Sequence, residues 1–152
     1  MALDFSFNAL RQCREASKRD NTIEKVSPIV ADARSLPLNV PESIDAVYSR
    51  SSLHLTDKEL DDFFSRCKIL LKNKGYIMIE GKTGTNSKIK SSKEICPHLY
   101  ENGGGHIRRL WSEQLIKELI VKHDLILVKM GRTSEIWDKI ETQFINFMAQ
   151  KY

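Results

Sequence analysis

The sequence predicts an α/β fold in which a mostly parallel sheet carries helices on both faces and an antiparallel strand at its C-terminal edge. Three observations predict it. Short apolar runs alternate with amphipathic helical stretches, the pattern of βαβ crossovers. One of those stretches, TDKELDDFFSRCKILLK, combines a capping signal with a single apolar stripe. The last two apolar runs have no long helix between them, which suits an antiparallel pair.

The chain opens on the strand-like pair Ala2-Leu3 and an acid, Asp4. Ser6 is placed to cap a helix whose apolar positions Phe7, Leu10, Cys13 and Ala16 share one side. Val26 to Ala31 reads as a buried strand, and IDAVYS, Ile44 to Ser49, as a second apolar run. Thr56 and Glu59 form the capping box of the next helix, with Leu60, Phe63, Phe64, Cys67, Leu70 and Leu71 on its inner face. Asn73-Lys74-Gly75 reads as its stop signal, and Tyr76 to Glu80 as a strand. No clear period runs from Gly81 to Leu110, so this stretch reads as a substrate or lid loop. A helix is expected over Ser112 to Val121, then strands over Leu125 to Met130 and Gln143 to Ala149. Between those strands, Ser134 to Glu141 reads as either connecting chain or a short helical turn.

Composition bounds the class. With 152 residues, 41% apolar and 29% charged, the chain has the balance of one globular domain spanning 1–152. No apolar run reaches the roughly 20 residues needed to cross a bilayer, and the N-terminus does not read as a secretory signal. Cys13, Cys67 and Cys96 show no paired spacing, which points to a reduced, cytoplasmic protein. A net charge of +4 spread along the chain describes a solvated surface better than a nucleic-acid patch. Cys96-Pro97-His98 with His106 lacks the second ligand pair that a zinc site needs, so no metal is expected.

The residues with chemical promise follow the expected strands. Asp4 follows Ala2-Leu3, Asp32 follows Ile29-Val30-Ala31, and Ser49-Arg50 follow Ala46-Val47-Tyr48. In an open parallel sheet, ligands bind outside the carboxyl ends of the strands, so all three points are expected to face one crevice. A strand-ending carboxylate can take both hydroxyls of a ribose, and a second one can accept from an exocyclic adenine amine. His54 reads either as a general base or as a packing residue at a helix entrance. Lys82, Lys88, Lys90 and Lys93 belong either to a loop closing over an anionic substrate or to a solvated loop. Gly103 to Gly105 suit a hinge, and Arg108 and Arg109 suit anion contacts. Trp111 and Trp137 read as packing residues rather than substrate cages.

Taken in order, "ALDFS", "ADARSLPL", "IDAVYSRSSLH", "LLKNKGYIMIEGK" and "FINFMAQKY" resemble successive blocks of a class I S-adenosylmethionine-dependent methyltransferase, and they cover nearly the whole chain. The resemblance implies a Rossmann-like fold with S-adenosylmethionine as cofactor. It assigns the ribose hydroxyls to Asp4, the adenine flank to Phe5 and the adenine edge to Asp32 and Ala33. Ser49 and Arg50 would then line the floor near the methyl group, with Arg50 and His54 as the candidate catalytic pair. The expected reaction is direct methyl displacement, with a small molecule the first choice of acceptor and protein or RNA the alternatives.

One departure stands out. The family places a strand and a glycine-rich loop ahead of the block matched by "ALDFS", whereas the first glycine here is Gly75. The resemblance therefore implies an N-terminally truncated fold: a fragment of a longer protein, a short protein whose sheet is closed by rearrangement or by a second copy, or a split enzyme completed by a separate chain. Two further readings compete: a non-catalytic binding or assembly module, and a nicotinamide dehydrogenase fragment whose second strand also ends in an acid.

Overall fold

The computed structural model describes residues 1–84, 92–102, 104–137 and 140–152. Their contacts form two compact units, Met1–Leu38 and Asn39–Tyr152.

The first unit is a βαβ element. Strand β1 (Ala2–Asp4) leads into helix α1 (Phe7–Arg19), and a 3-10 turn at Ile23–Lys25 precedes β2 (Pro28–Val30). β1 and β2 pair in parallel with Asp4 opposite Val30. Ser6 caps α1 as its position suggests, its hydroxyl accepting from the Ala9 N–H at 3.2 Å. Asn21, at φ 54°, turns the chain after the helix in the left-handed conformation that asparagine tolerates. Two expectations need correction here. Leu10 of the apolar side is buried, but Phe7 at its start is 68% exposed. The strand expected to be buried over Val26 to Ala31 is shorter, and its Val30 is 56% exposed. A lone two-stranded sheet offers too little surface to cover either side chain.

In the second unit, β3 (Ile44–Arg50), α2 (Asp57–Leu70), β4 (Leu71–Lys82), β5 (Lys93–Cys96), β6 (Leu99–Glu101) and β7 (Ile107–Arg109) follow in order. Helix α3 (Glu113–Lys122) and strands β8 (Leu125–Trp137) and β9 (Ile140–Lys151) complete it. The main sheet has the order β3-β4-β9-β8. β3 and β4 run parallel, while β9 lies antiparallel to both of its neighbours. The predicted capping box operates, Thr56 and Glu59 closing it at the start of α2; Ser112, expected as the first helical residue, instead caps α3, its hydroxyl accepting from the Leu115 N–H.

Burial explains why the unit holds together. Ile77 and Ile79 of β4 share a sheet face with Ile145, Phe147 and Ala149 of β9, and all five are buried. Phe64 from α2 stacks on Phe147 at 6.5 Å and on His123, the residue that ends α3, at 5.5 Å. Both helices therefore cover this one face. Cys67, fully buried among them, acts as a small hydrophobe whose thiol burial pushes up to about 12.

Three elements differ from expectation. Helix α2 ends at Leu70, ahead of the stop signal, because Leu71 is already extended and pairs with Ile44. Residues 72–75 then bulge out before Tyr76 rejoins β3 at Ala46, and Lys74 at φ 63° makes the turn. The stretch from Gly81 to Leu110, read as loop, contains the antiparallel sheet β5-β6-β7. The described residues of the stretch Ser134 to Glu141, one reading of which is a helical turn, are strand: Ser134 pairs with Gln143 and Ile136 with Glu141. Lys88, Lys90 and Gly103 lie outside the described residues, as does the Trp137 side chain.

Candidate functional site

The carboxyl end of the β1/β2 pair gathers four of the sequence-predicted residues. Parallel pairing points both strand ends the same way, and the Ala31 N–H donates to the Asp4 carbonyl at 3.0 Å, fixing Asp32 one step beyond. The Asp4 carboxylate accepts from the Ser6 N–H at 2.8 Å through Oδ1. Its Oδ2 has no hydrogen bond among the described residues. Phe5 beside it is 81% exposed, a large aromatic face left in solvent. Asp32 is already engaged: it accepts from the Arg34 backbone N–H at 2.9 Å and holds the Arg34 guanidinium through both oxygens. Those hydrogen bonds hold its carboxyl below the usual carboxylate value. Ala33 lies in the turn they close.

The carboxyl end of β3 carries the other three. Ser49 is buried, and its hydroxyl shares a 2.7 Å hydrogen bond with that of Ser52. Ser51 between them adopts φ 52°, a left-handed conformation for a residue with a Cβ, while its N–H donates to the Glu80 carbonyl at 2.8 Å. Such strain at a strand end persists only where surrounding bonds impose it. Arg50 is clamped: Nε donates to Glu80 at 2.5 Å, a second nitrogen pairs with Glu135, and the guanidinium lies 5.7 Å from the Phe144 ring centre. Its two carboxylate partners, Glu80 foremost, raise its pKa.

His54 sits where β7 crosses the end of β3. Its Nδ1 accepts the Arg109 backbone N–H at 3.2 Å, which leaves the ring proton on Nε2. Burial, reinforced by Arg108 and Lys82, lowers its pKa to about 4, so the imidazole is neutral at physiological pH. Arg109 itself is buried. Its Nε donates to the Leu55 carbonyl at 2.7 Å and another nitrogen pairs with Asp57, but Nη1 has no hydrogen-bond partner among the described residues. Trp111 is buried against Phe147, the packing role expected for it.

Sequence reasoning missed the partners more than the principals. Asp57 could have been suspected as a first-turn acid. Nothing in the sequence links Glu135 to Arg50 across 85 positions. The left-handed Ser51 has no sequence signal at all.

A family model described as a methyltransferase domain matches residues 1–79. An uncharacterized methyltransferase of Arabidopsis thaliana, described as chloroplastic, is 36% identical over 73 residues, which are 46% of this chain and 20% of the plant protein. The match thus spans about a fifth of that relative's length. Among solved structures, a SAM-dependent methyltransferase of Methanosarcina mazei has a TM-score of 0.76 at 16% identity, with coverage of 98% of this chain and 80% of that one. The 1,6-didemethyltoxoflavin-N1-methyltransferase of Burkholderia thailandensis, solved with 1,6-didemethyltoxoflavin and S-adenosylhomocysteine bound, has a TM-score of 0.69 at 15% identity. That alignment covers 99% of this chain and 70% of the other.

Proposed function

The chain belongs to the methyltransferase-domain family and has the class I fold, with S-adenosylmethionine as the implied cofactor; on that premise we propose that it methylates a small molecule by direct displacement. The observation that carries the reading is the β1 strand end, where Asp4 keeps one carboxylate oxygen uncommitted beside the exposed Phe5 ring.

The residues present fit an adenosyl group. Asp4 Oδ2 offers the acceptor that a ribose diol requires, and Phe5 offers a flat apolar surface to a purine. Asp32 contributes by a different route than a bare carboxylate would. Its ion pair with Arg34 stiffens the turn, so the backbone around Ala33 is held ready to read a ring edge. When bound, S-adenosylmethionine supplies an electrophilic methyl. The protein has only to align a nucleophile with it, and proximity with alignment supplies most of such catalysis.

Ser49 and Arg50, which the resemblance assigns to the methyl end, are each fixed within their own unit. The Ser49 hydroxyl is bonded to that of Ser52, and the exposed Arg50 guanidinium is held by Glu80 and Glu135. His54 orients through its Nε2 proton rather than abstracting one, since its Nδ1 is already bonded. The Burkholderia relative's small-molecule substrate supports the choice of acceptor class.

Calorimetric titration with S-adenosylhomocysteine tests the proposal. Wild type should bind, and Asp4→Ala should weaken binding roughly 10- to 100-fold, the worth of one or two hydrogen bonds to a charged acceptor. No heat from demonstrably folded protein would remove the enzyme reading. The second reading, a binding or assembly module, has its own support: β1 and β3 each pair with a strand on one side only among the described residues. A native mass above that of one chain, together with no cofactor heat, would favour it.

A further inference from the structure

The elements beyond the carboxyl ends of β3 and β4 bring together cations that the proposed methyl transfer does not use. Lys82 is the last residue of β4, and its carbonyl accepts the Trp111 N–H at 2.8 Å. That bond lays the end of β7 alongside Lys82, as the Arg109 N–H to His54 bond lays it alongside the β3 loop. Lys82, Arg108 and His54 are all half-buried there. Arg109, next in the chain, is fully buried with Nη1 unpartnered among the described residues.

The acids of this region are already taken. Asp57 pairs with Arg109, and Glu80 pairs with Arg50. Glu94 accepts from the His98 backbone N–H. Neither Lys82 nor Arg108 meets a carboxylate among the described residues; the Arg108 guanidinium reaches only the carbonyl of Ile107. Two like charges and a neutral imidazole share a partly dry corner, and each cation makes the others harder to keep charged. Burial and Arg108 together lower the Lys82 pKa. Uncompensated positive charge at the ligand-binding end of a parallel sheet is relieved most directly by an anion.

We propose that Lys82 and Arg108, beside the His54 ring, form a subsite for a compact oxyanion, a carboxylate or a phosphate, carried by the methyl acceptor. The assignment to an acceptor rests on the methyltransferase reading above. The Arg108 fork suits two oxygens of one group, and the Lys82 ammonium adds a point charge. His54 borders the pair as a neutral ring, which is the state that its environment enforces.

The test uses the full chain and follows the His54 ring signals by NMR. Inorganic phosphate and acetate are titrated separately at ionic strength held constant with chloride. Saturable movement of those signals is expected with at least one anion, and the anion that acts more strongly identifies the group recognised. Neutralising the two cations should also tighten proton binding by His54 roughly tenfold. The Lys82→Gln/Arg108→Gln double variant should lose the saturable movement. No saturable movement in wild type, or the same movement in the double variant, overturns the subsite. A parallel titration with S-adenosylhomocysteine separates the two ideas. Cofactor bound with both anions refused sinks the subsite alone. Anion bound with cofactor refused keeps the subsite and sinks the reading on which its role in acceptor recognition rests.

Discussion

Gly81 is the position where a single added carbon should do the most damage. It lies in β4 opposite Ile145, and the Trp111 indole packs directly over it. A Cβ at residue 81 would stand 2.0 Å from Trp111 Cδ1 and 2.5 Å from both Cγ and Nε1. To restore ordinary contact the ring has to retreat by about 1.4 Å, in an interior packed as densely as a crystal. It has nowhere to go. Trp111 is 4% exposed, its backbone N–H is held by the Lys82 carbonyl, and Phe147 backs the ring at 5.9 Å. Overpacking of this kind costs roughly 1–3 kcal/mol, and the anchored backbone places Gly81→Ala near the top, about 2–3 kcal/mol. For a unit of this size that is a fall in Tm on the order of 10 °C. Urea unfolding followed by circular dichroism should show a lower midpoint at unchanged slope. In a Trp111→Leu background the same substitution should cost about 1 kcal/mol or less, because the clashing ring is gone. A loss below about 0.5 kcal/mol in the wild-type background, or an equal loss in both backgrounds, would refute the packing argument.

Three further outcomes are expected. The unfolded His54 takes a proton near 6.5 and the folded one near about 4, so its contribution to stability is complete above 6.5 and is lost as pH falls through that window. The ceiling is roughly 3 kcal/mol, cut to about 1–2 kcal/mol by solvent at a half-buried ring. Buried His123, whose pKa burial also lowers, adds in the same direction. Unfolding at a series of pH values should show this decline, and His54→Gln should flatten it. Thr56→Ala removes the hydroxyl half of the α2 capping box, leaving the residue-56 N–H to Glu59, and should cost about 1 kcal/mol in thermal unfolding. Cys67 should resist a thiol reagent in the native protein while half-buried Cys13 and Cys96 react, all three reacting after denaturation.

Local signals were legible wherever one stretch of chain decides its own structure. Ser6 and Thr56 with Glu59 each cap the helix they precede, because a cap needs only its own side chain and the next turn. The α2 stripe became core for the same reason. What failed depended on partners distant in sequence. The β5-β6-β7 sheet has strands of three or four residues, too short to display a period. Ser134 to Trp137 extends as strand because Ile140 to Gln143 lies opposite, a pairing that outweighs the local preference of polar residues for turns. The end of α2 moved for a similar reason, since Ile44 recruits Leu71 into β3–β4 pairing before the glycine is reached.

The candidate site divides along the same line. Strand-end acids could be found from the sequence because topology alone assigns them to a ligand-facing rim, and Asp4 and Asp32 do share one rim. What each side chain is able to do there could not be read, since that depends on what has already claimed it. Asp32 and Arg50 are both charged and both close a strand, yet each is neutralised: one by Arg34 two residues on, the other by Glu80 and Glu135 from two other strands. Asp4 keeps an oxygen free, and Lys82 and Arg108 keep their charges uncancelled among the described residues. Binding capacity thus tracks unspent charge and hydrogen-bonding valence rather than residue type. By that criterion Asp4 is the residue on which the proposed adenosyl site draws, and Lys82 with Arg108 the pair on which the proposed anion subsite draws. Arg50, the most obvious cation in the sequence, serves mainly to fasten β3 to β4 and β8.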